Sequence, residues 1–343
     1  MRPLRILIVT HDTTLPPEGV TELPQDSIPV WKTEFDVEKG LRSLGHEIRF
    51  VGLRDDLAVL RAALEEFEPH IAFNMIEEFS GVAIYDQNVI SYLELLRVAF
   101  TGCNPRGLLI SHDKVLTKKI LSYHRIPTPR FGYSPKRAKA KAPTKLRYPL
   151  VVKSATEHAS RGISQASVVA SPEKCVERIQ FIHERIGTDA VVEEFVEGRE
   201  LYVSMIGNER LTIFPTWELD LSHIPEGRPK IATERMKFNR AFQDRHRTDI
   251  HEAVDLDPAI NRKIQTLCKR AFRRLYLSGY ARFDIRLTAE NEPYILEANA
   301  NPSIGFGEEF SEAANGAGLS YPELLSRIVG LGLSFKAPWT GAG

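Results

Sequence analysis

The chain has 343 residues, more than one ordinary domain of roughly 100–200 residues holds, so two or three domains are expected. Hydrophobic residues make up 43% and charged residues 26%, and Lys plus Arg matches Asp plus Glu at 45 each. That balance suits a folded globular protein and carries no footprint for nucleic acid or an anionic membrane. Cys103, Cys175 and Cys268 lie far apart and form no CxxC pair, which argues against a disulfide framework or a structural zinc. The first apolar run is too short for a signal peptide, and no stretch reaches the roughly 20 apolar residues of a membrane span. Cytoplasm is the expected compartment.

Residues 5–10 read as a buried parallel strand, 33–44 as a helix ending at Gly45, and 47–52 as a second strand. Residues 57–67 are helical, and the apolar stretch 70–74 follows. Strand, helix, strand, helix, strand is the rhythm of a doubly wound parallel sheet. This α/β unit, residues 1–112, closes near 105–111. A helix is expected from 113 to 123, with an extended exit at 125–129. The basic segment 135–145 reads as a solvated loop or short surface helix rather than a polyanion contact.

Short strands are expected at 148–154, 165–169, 190–195, 200–206 and 210–216, with one helix over 171–186 capped by Ser171. The middle unit, residues 113–205, is therefore α+β with antiparallel pairing. The third unit, residues 206–335, carries a long amphipathic helix over 258–277, a hairpin over 279–302 and a helix over 321–331. Residues 336–343 read as a loose tail.

The hairpin puts charge where a strand is ordinarily apolar. Side chains alternate faces along a strand, so Arg282, Asp284 and Arg286 oppose Ala281, Phe283, Ile285 and Leu287. In the second strand, strict alternation groups Ile295, Glu297 and Asn299. Pairing the strands gathers Asp284, Glu297 and Asn299 into an oxygen-rich patch with Arg282 beside it. Such hard ligands suit an Mg²⁺ that also holds phosphates. A solvated sheet face with cross-strand ion pairs is the other reading. Against it, Glu297 interrupts the apolar run of Tyr294, Ile295 and Leu296.

Upstream, an apolar strand ends in Lys153, followed by the small-residue loop 154–162. A strand-borne lysine under a loop of free N–H groups suits polyphosphate, and a lysine simply in water is equally open. No GxxxxGK[ST] or GxGxxG occurs. Glu193, Glu194, Phe195 and Val196 form a strand end whose backbone can read an adenine edge, and Glu200 can accept from ribose hydroxyls. Each of these glutamates also fits a plain surface role. Lys114 opens a helix and fits a solvated first turn as well.

In chain order, Asp113 and Lys114, the strand ending in Val151, Val152 and Lys153, Glu193 to Val196 with Glu200, Arg282 with Asp284, and Glu297, Ala298 and Asn299 resemble the ATP-grasp superfamily. Within it they resemble the D-alanine–D-alanine ligases, over roughly residues 70–335. The fold this implies has an N-terminal doubly wound parallel-sheet domain, a small central α+β domain and a C-terminal α+β domain with an antiparallel-type sheet. The implied activity joins a carboxylate to an amine, from amino acids or small peptides, through an acyl phosphate, with release of ADP and phosphate.

By the same resemblance, Lys114 and Lys153 contact ATP phosphates, Glu193 and Val196 face the adenine with Glu194 and Phe195 in the same cofactor-binding set, and Glu200 holds the ribose. Asp284, Glu297 and Asn299 bind two Mg²⁺ ions, for which Mn²⁺ is a substitute. Arg282 steadies the acyl phosphate and tetrahedral intermediate. Lys237 closes over the γ-phosphate on a mobile loop, and Ala159 takes the position of the family's substrate-side serine, with the candidate Ser160 next to it. A homodimer is implied by the resemblance alone.

The departures concern the substrate. The family's Gly-Gly-x-Ser-x-Glu pattern is absent, and its NTxPGMT stretch is replaced by residues 299–305, which include Ser303 and Gly305. His11, Glu18, Glu77 and Glu78 are candidates for a different amino-acid site. These differences point away from D-alanine. A D-alanine–D-alanine ligase proper, an ester-forming variant and an inactive nucleotide-binding regulatory module are the alternatives. The intact set of Arg282, Asp284, Glu297 and Asn299 speaks against the last.

Overall fold

The structure, a computed structural model, describes residues 2–24, 28–157, 162–222, 224, 227–233 and 250–339. Strands β1 (Arg5–His11), β2 (Glu47–Leu53) and β3 (Ile71–Asn74) form a parallel sheet in the order β2-β1-β3. Alternate residues of β1 enter two different cores. Leu7 and Val9 pack with Leu60 and Leu64 of α2 (Leu57–Phe67), while Ile6 and Ile8 pack with Val37 and Leu41 of α1 (Lys32–Ser43). A strand covered on both faces must be apolar throughout, which is why β1 reads as an unbroken apolar run. Helix α3 (Asp86–Leu95), which the sequence reading did not anticipate, follows β3.

Helices α4 (Pro105–His112) and α5 (Lys114–Tyr123) follow, with Asn104 and Asp113 as side-chain caps. The extent of α4 was not anticipated either. The central sheet runs β4-β7-β5-β6, all antiparallel, from β4 (Phe131–Ser134), β5 (Leu150–Ser154), β6 (Val168–Val169) and β7 (Ala190–Glu194). Helix α6 (Pro172–Phe181) covers one face through Cys175 and Ile179 against Leu150, Val152 and Val192. A π-helical turn, Ile182–Ile186, completes the span expected as one helix. The basic segment is a loop, and residues 165–169 form a 3₁₀ turn and a two-residue strand rather than one continuous strand.

The third sheet is antiparallel, in the order β11-β10-β8-β12-β13 with β9 paired to β8. Its strands are β8 (Arg199–Ile206), β9 (Thr212–Ile213), β10 (Trp217–Leu219), β11 (Ile250–Glu252), β12 (Tyr280–Leu287) and β13 (Pro293–Ala300). Strand β8 belongs wholly to this sheet, so an expected boundary at 205/206 cuts through it. Helix α7 (Pro258–Arg274) packs Ile264, Leu267, Cys268 and Phe272 into the main core, and α8 (Glu309–Gly316) and α9 (Tyr321–Ser334) close the chain against α1. Of the expected loose tail, Lys336, Pro338 and Trp339 are exposed, while Ala337 is buried and the Trp339 indole donates to Glu94 at 3.0 Å.

Strict alternation fails at one point in β13. The register runs Arg282 to Asn299 and Asp284 to Glu297, then slips so that Ile285 faces Ile295. This bulge turns Ile295 into the core beside Ala298 and leaves Leu296, Glu297 and Asn299 on the charged face. The grouping of Ile295 with Glu297 is therefore corrected.

Candidate active site

The cleft-facing sides of the central and C-terminal sheets border an open cleft. Lys153, Glu193, Phe195 and Val196 line it from one sheet, and Glu200, Asp284, Leu296 and Glu297 from the other. Lys153 and Glu193 reach it because Leu150 and Val152 on the opposite face of β5 are taken by α6.

Lys114 is buried, not solvated. From the first turn of α5 its ammonium donates to the Glu157 carbonyl at 2.6 Å and pairs with Glu297 Oε1 at 3.0 Å. It thereby ties the loop after β5 to the hairpin. Lys153 Nζ stands 3.4 Å from Glu193 Oε2, and Glu193 Oε1 stands 3.4 Å from Lys118 Nζ. Burial works against charge on Glu193, and the two ammonium groups nevertheless hold its carboxyl below the usual range. Its side chain is thus committed to two lysines. Glu194 turns its carboxylate to the Arg147 N–H and the Arg130 guanidinium.

Glu200 is held in a buried pair with Arg286 at 2.6 Å, and the Tyr202 hydroxyl donates to its other oxygen at 3.2 Å. Arg286 also donates to the Gly198 carbonyl at 2.9 Å, fixing the turn between the two sheets. Arg282 grips Asp284 with two hydrogen bonds of 2.7 and 3.1 Å, reaches Glu309 at 2.9 Å and lies over the Tyr202 ring. Asn299 donates to Asp284 Oδ1 at 3.1 Å.

Asp284, Glu297 and Asn299 therefore present oxygens on one sheet face. Among the described residues no three His, Cys, Asp or Glu side chains come together as a metal cage. Two carboxylates and an amide suit a hard cation that completes its shell with water and phosphate oxygens, as Mg²⁺ does.

The substrate candidates separate. His11 Nε2 lies 3.4 Å from Glu78 Oε1, at the C-terminal end of β1. Glu77 is exposed on the loop after β3, in an acidic neighbourhood that includes Glu34, Asp86, Glu308 and Glu78. Glu18 sits on an exposed turn. Ser303 is exposed in the loop after β13, while Gly305 is packed so closely that a Cβ would meet Glu308 Oε1 at 2.9 Å and Thr33 Oγ1 at 3.0 Å. Lys237 and Ser160 lie outside the described residues.

Sequence reasoning gave no role to Lys118, Arg286 or Glu309. Lys118 follows Lys114 by four residues and so shares its helix face. Arg286 alternates with Arg282 and Asp284, and either spacing could have found its residue. Glu309 opens α8, a helix without a clear sequence signal.

The family model for the D-ala D-ala ligase C-terminus matches residues 119–330. A D-alanine–D-alanine ligase of Polaromonas naphthalenivorans is 30% identical over 268 residues, covering 75% of this chain and 77% of that protein. An uncharacterized protein of Sinorhizobium fredii is 29% identical, with 89% of each chain covered. Among solved structures, a D-alanine–D-alanine ligase from Bacillus anthracis complexed with ATP superposes with a TM-score of 0.73 at 22% identity, over 96% of this chain and 97% of that one. The architecture is thus the ATP-grasp fold. The chain belongs to the D-ala D-ala ligase family and is an ATP-dependent ligase that forms a C–N bond. Among the described residues no helix is long and apolar enough to cross a membrane.

Proposed function

We propose that the protein binds ATP in the cleft between its central and C-terminal sheets and joins a carboxylate to the amine of an amino acid or small peptide. The carrying observation is the convergence of Lys153, Glu193, Asp284 and Glu297 on one cleft, with Lys114 paired to Glu297 at its edge. Lys114 and Lys153 bind the phosphates, the strand end at 194–196 carries the adenine, and Glu200 holds the ribose from its fixed position on Arg286. Asp284, Glu297 and Asn299 would hold Mg²⁺, which neutralises phosphate charge when bound.

In the first step a substrate carboxylate oxygen attacks the γ-phosphorus, the bond to the β-phosphate oxygen breaks, and ADP leaves. The amine nitrogen then attacks the acyl carbon, the carbon–oxygen bond breaks with release of phosphate, and the nitrogen loses a proton. Lys153 and Lys114 offset charge on the transferring group, and Arg282 offsets charge on the tetrahedral oxyanion. The substrates lie toward the N-terminal sheet, near His11, Glu77, Glu78 and the loop through Ser303. That acidic surface lacks the serine-containing pattern linked to D-alanine and supports a different ammonium-bearing substrate.

A phosphate-release screen over L-, D- and β-amino acids and dipeptides, with product mass on each hit, tests this. An amide product from two amine-bearing substrates is expected. An ester product would shift the acceptor to a hydroxy acid. ATP binding with no ADP formed from any mixture would sink the ligase reading.

A further inference from the structure

Lysine is rarely found fully buried. Lys118, in the second turn of α5, has a side chain only 1% exposed. Its ammonium stands 3.4 Å from Glu193 Oε1 and donates to Thr128 Oγ1 at 2.9 Å and to the Leu296 carbonyl at 3.2 Å. One cation therefore joins α5, the connection into the central sheet, β7 and β13. Glu193 is itself 2% exposed, and its second oxygen faces Lys153. Of the two lysines sharing this carboxylate, only Lys153 borders the cleft.

We propose that Lys118 is a positioning residue for the nucleotide: it neutralises Glu193 from beneath the cleft floor, so that Lys153 offers a net positive charge to the phosphates of ATP. The inference rests on the nucleotide reading of the cleft. Lys153 and Glu193 alone sum to zero charge, and a polyphosphate approaching them would meet the carboxylate's repulsion along with the lysine's attraction. With Lys118 the three groups carry one net positive charge, and the buried side of the group is screened little by salt. The hydrogen bonds to Thr128 and Leu296 hold the ammonium in place without adding negative charge. Burial lowers the Lys118 pKa to about 8, against the pull of Glu193, so the group is largely charged at neutral pH.

The test is ATP and adenosine binding with Mg²⁺ present, measured by calorimetry on wild type, Lys118→Met and Lys118→Met/Glu193→Gln. Binding of ATP by wild type tests the nucleotide reading separately and needs no knowledge of the substrates. The single variant is expected to bind ATP on the order of tenfold more weakly while adenosine affinity stays within about twofold, since the lost interaction acts on phosphate charge. Removing the carboxylate in the double variant should restore most of the ATP affinity. A purely structural lysine would weaken both ligands alike and would not be rescued by Glu193→Gln. Unchanged ATP affinity in Lys118→Met, or no rescue in the double variant, overturns the proposal. Wild type supplies a readout that does not depend on a variant folding: ATP affinity should fall faster than adenosine affinity as pH rises above neutral, and profiles that run parallel overturn the proposal equally.

Discussion

Asp284 on β12 stands directly opposite Glu297 on β13 across one rung of the C-terminal sheet. Like charges in that relation are destabilising. Each is compensated by a cation from a different place: Arg282 lies on the same strand as Asp284, and Lys114 reaches Glu297 from α5. The bulge beside this pair keeps Glu297 on the cleft face while Ile295 returns to the core. In the proposed metal-bound state a divalent cation would offset the remaining repulsion between these two carboxylates.

Glu297→Ala should therefore abolish turnover and also remove metal-dependent stabilisation. A ligand at a hundred times its Kd stabilises the folded state by about 2.7 kcal/mol. Thermal unfolding of wild type with ATP should rise on adding Mg²⁺ and fall back with EDTA. The variant should show little Mg²⁺-dependent rise. A variant with near-native kcat would remove Glu297 from the metal site.

Lys153→Ala addresses the phosphate side. Its ammonium is held charged by Glu193 despite burial, which on its own would lower the pKa. Loss of one charge-assisted contact should raise the KM for ATP by on the order of tenfold to a hundredfold. An unchanged KM would mean that the lysine is bound up with Glu193 and does not reach the nucleotide.

Much of this site was legible because strand alternation is a short-range rule. Arg282, Asp284, Glu297 and Asn299 were placed together from spacing alone, and the structure brings them together. Ile295 was misplaced because the bulge at Leu296 breaks strict alternation and returns Ile295 to the core. Glu309 pairs with Arg282 across 27 residues, and Lys118 reaches Leu296 across 178, separations at which sequence periodicity carries no information. Helices α3 and α8 went unread because each is short and its apolar residues do not stand out from neighbouring loops. The parallel sheet, by contrast, was plain from buried strands alternating with amphipathic helices.

Asp36 holds the loop after β13 to α1. Its Oδ2 accepts from Lys32 Nζ at 2.6 Å and from the Phe306 N–H at 3.0 Å, and Lys32 also donates to the Phe306 carbonyl at 2.7 Å. Asp36→Ala should free the segment around Ser303 and Gly305, costing on the order of 1 kcal/mol for the lost, partly buried hydrogen bonds. The KM for the amino-acid substrates should rise while the KM for ATP stays close to wild type, because the nucleotide cleft is built from other strands. Limited proteolysis should then cut near Phe306. A variant affected only in its KM for ATP would sever the link between this loop and the substrates.

Glu34 gives the pH dependence. It is 5% exposed and accepts from Thr10 Oγ1 at 2.8 Å. Burial raises its carboxyl, the hydrogen bonds from Thr10 and Thr14 oppose this, and Glu308 adds to the rise. A raised acid binds its proton more tightly in the folded chain than in the unfolded one. Its charge therefore costs stability above the folded pKa, and that cost vanishes as pH falls below the ordinary value of 4.5. Glu34→Gln keeps an oxygen for Thr10 and removes the charge. It should raise Tm by about 1–3 °C at pH 7.5, with the gain shrinking as pH falls toward and below 4.5, read by thermal scans across that range. If the carboxylate is retained because it meets a substrate ammonium, the same variant gains stability while its KM for the amine-bearing substrate rises. A stabilised variant with unchanged substrate KM would confine Glu34 to a structural role in the first turn of α1.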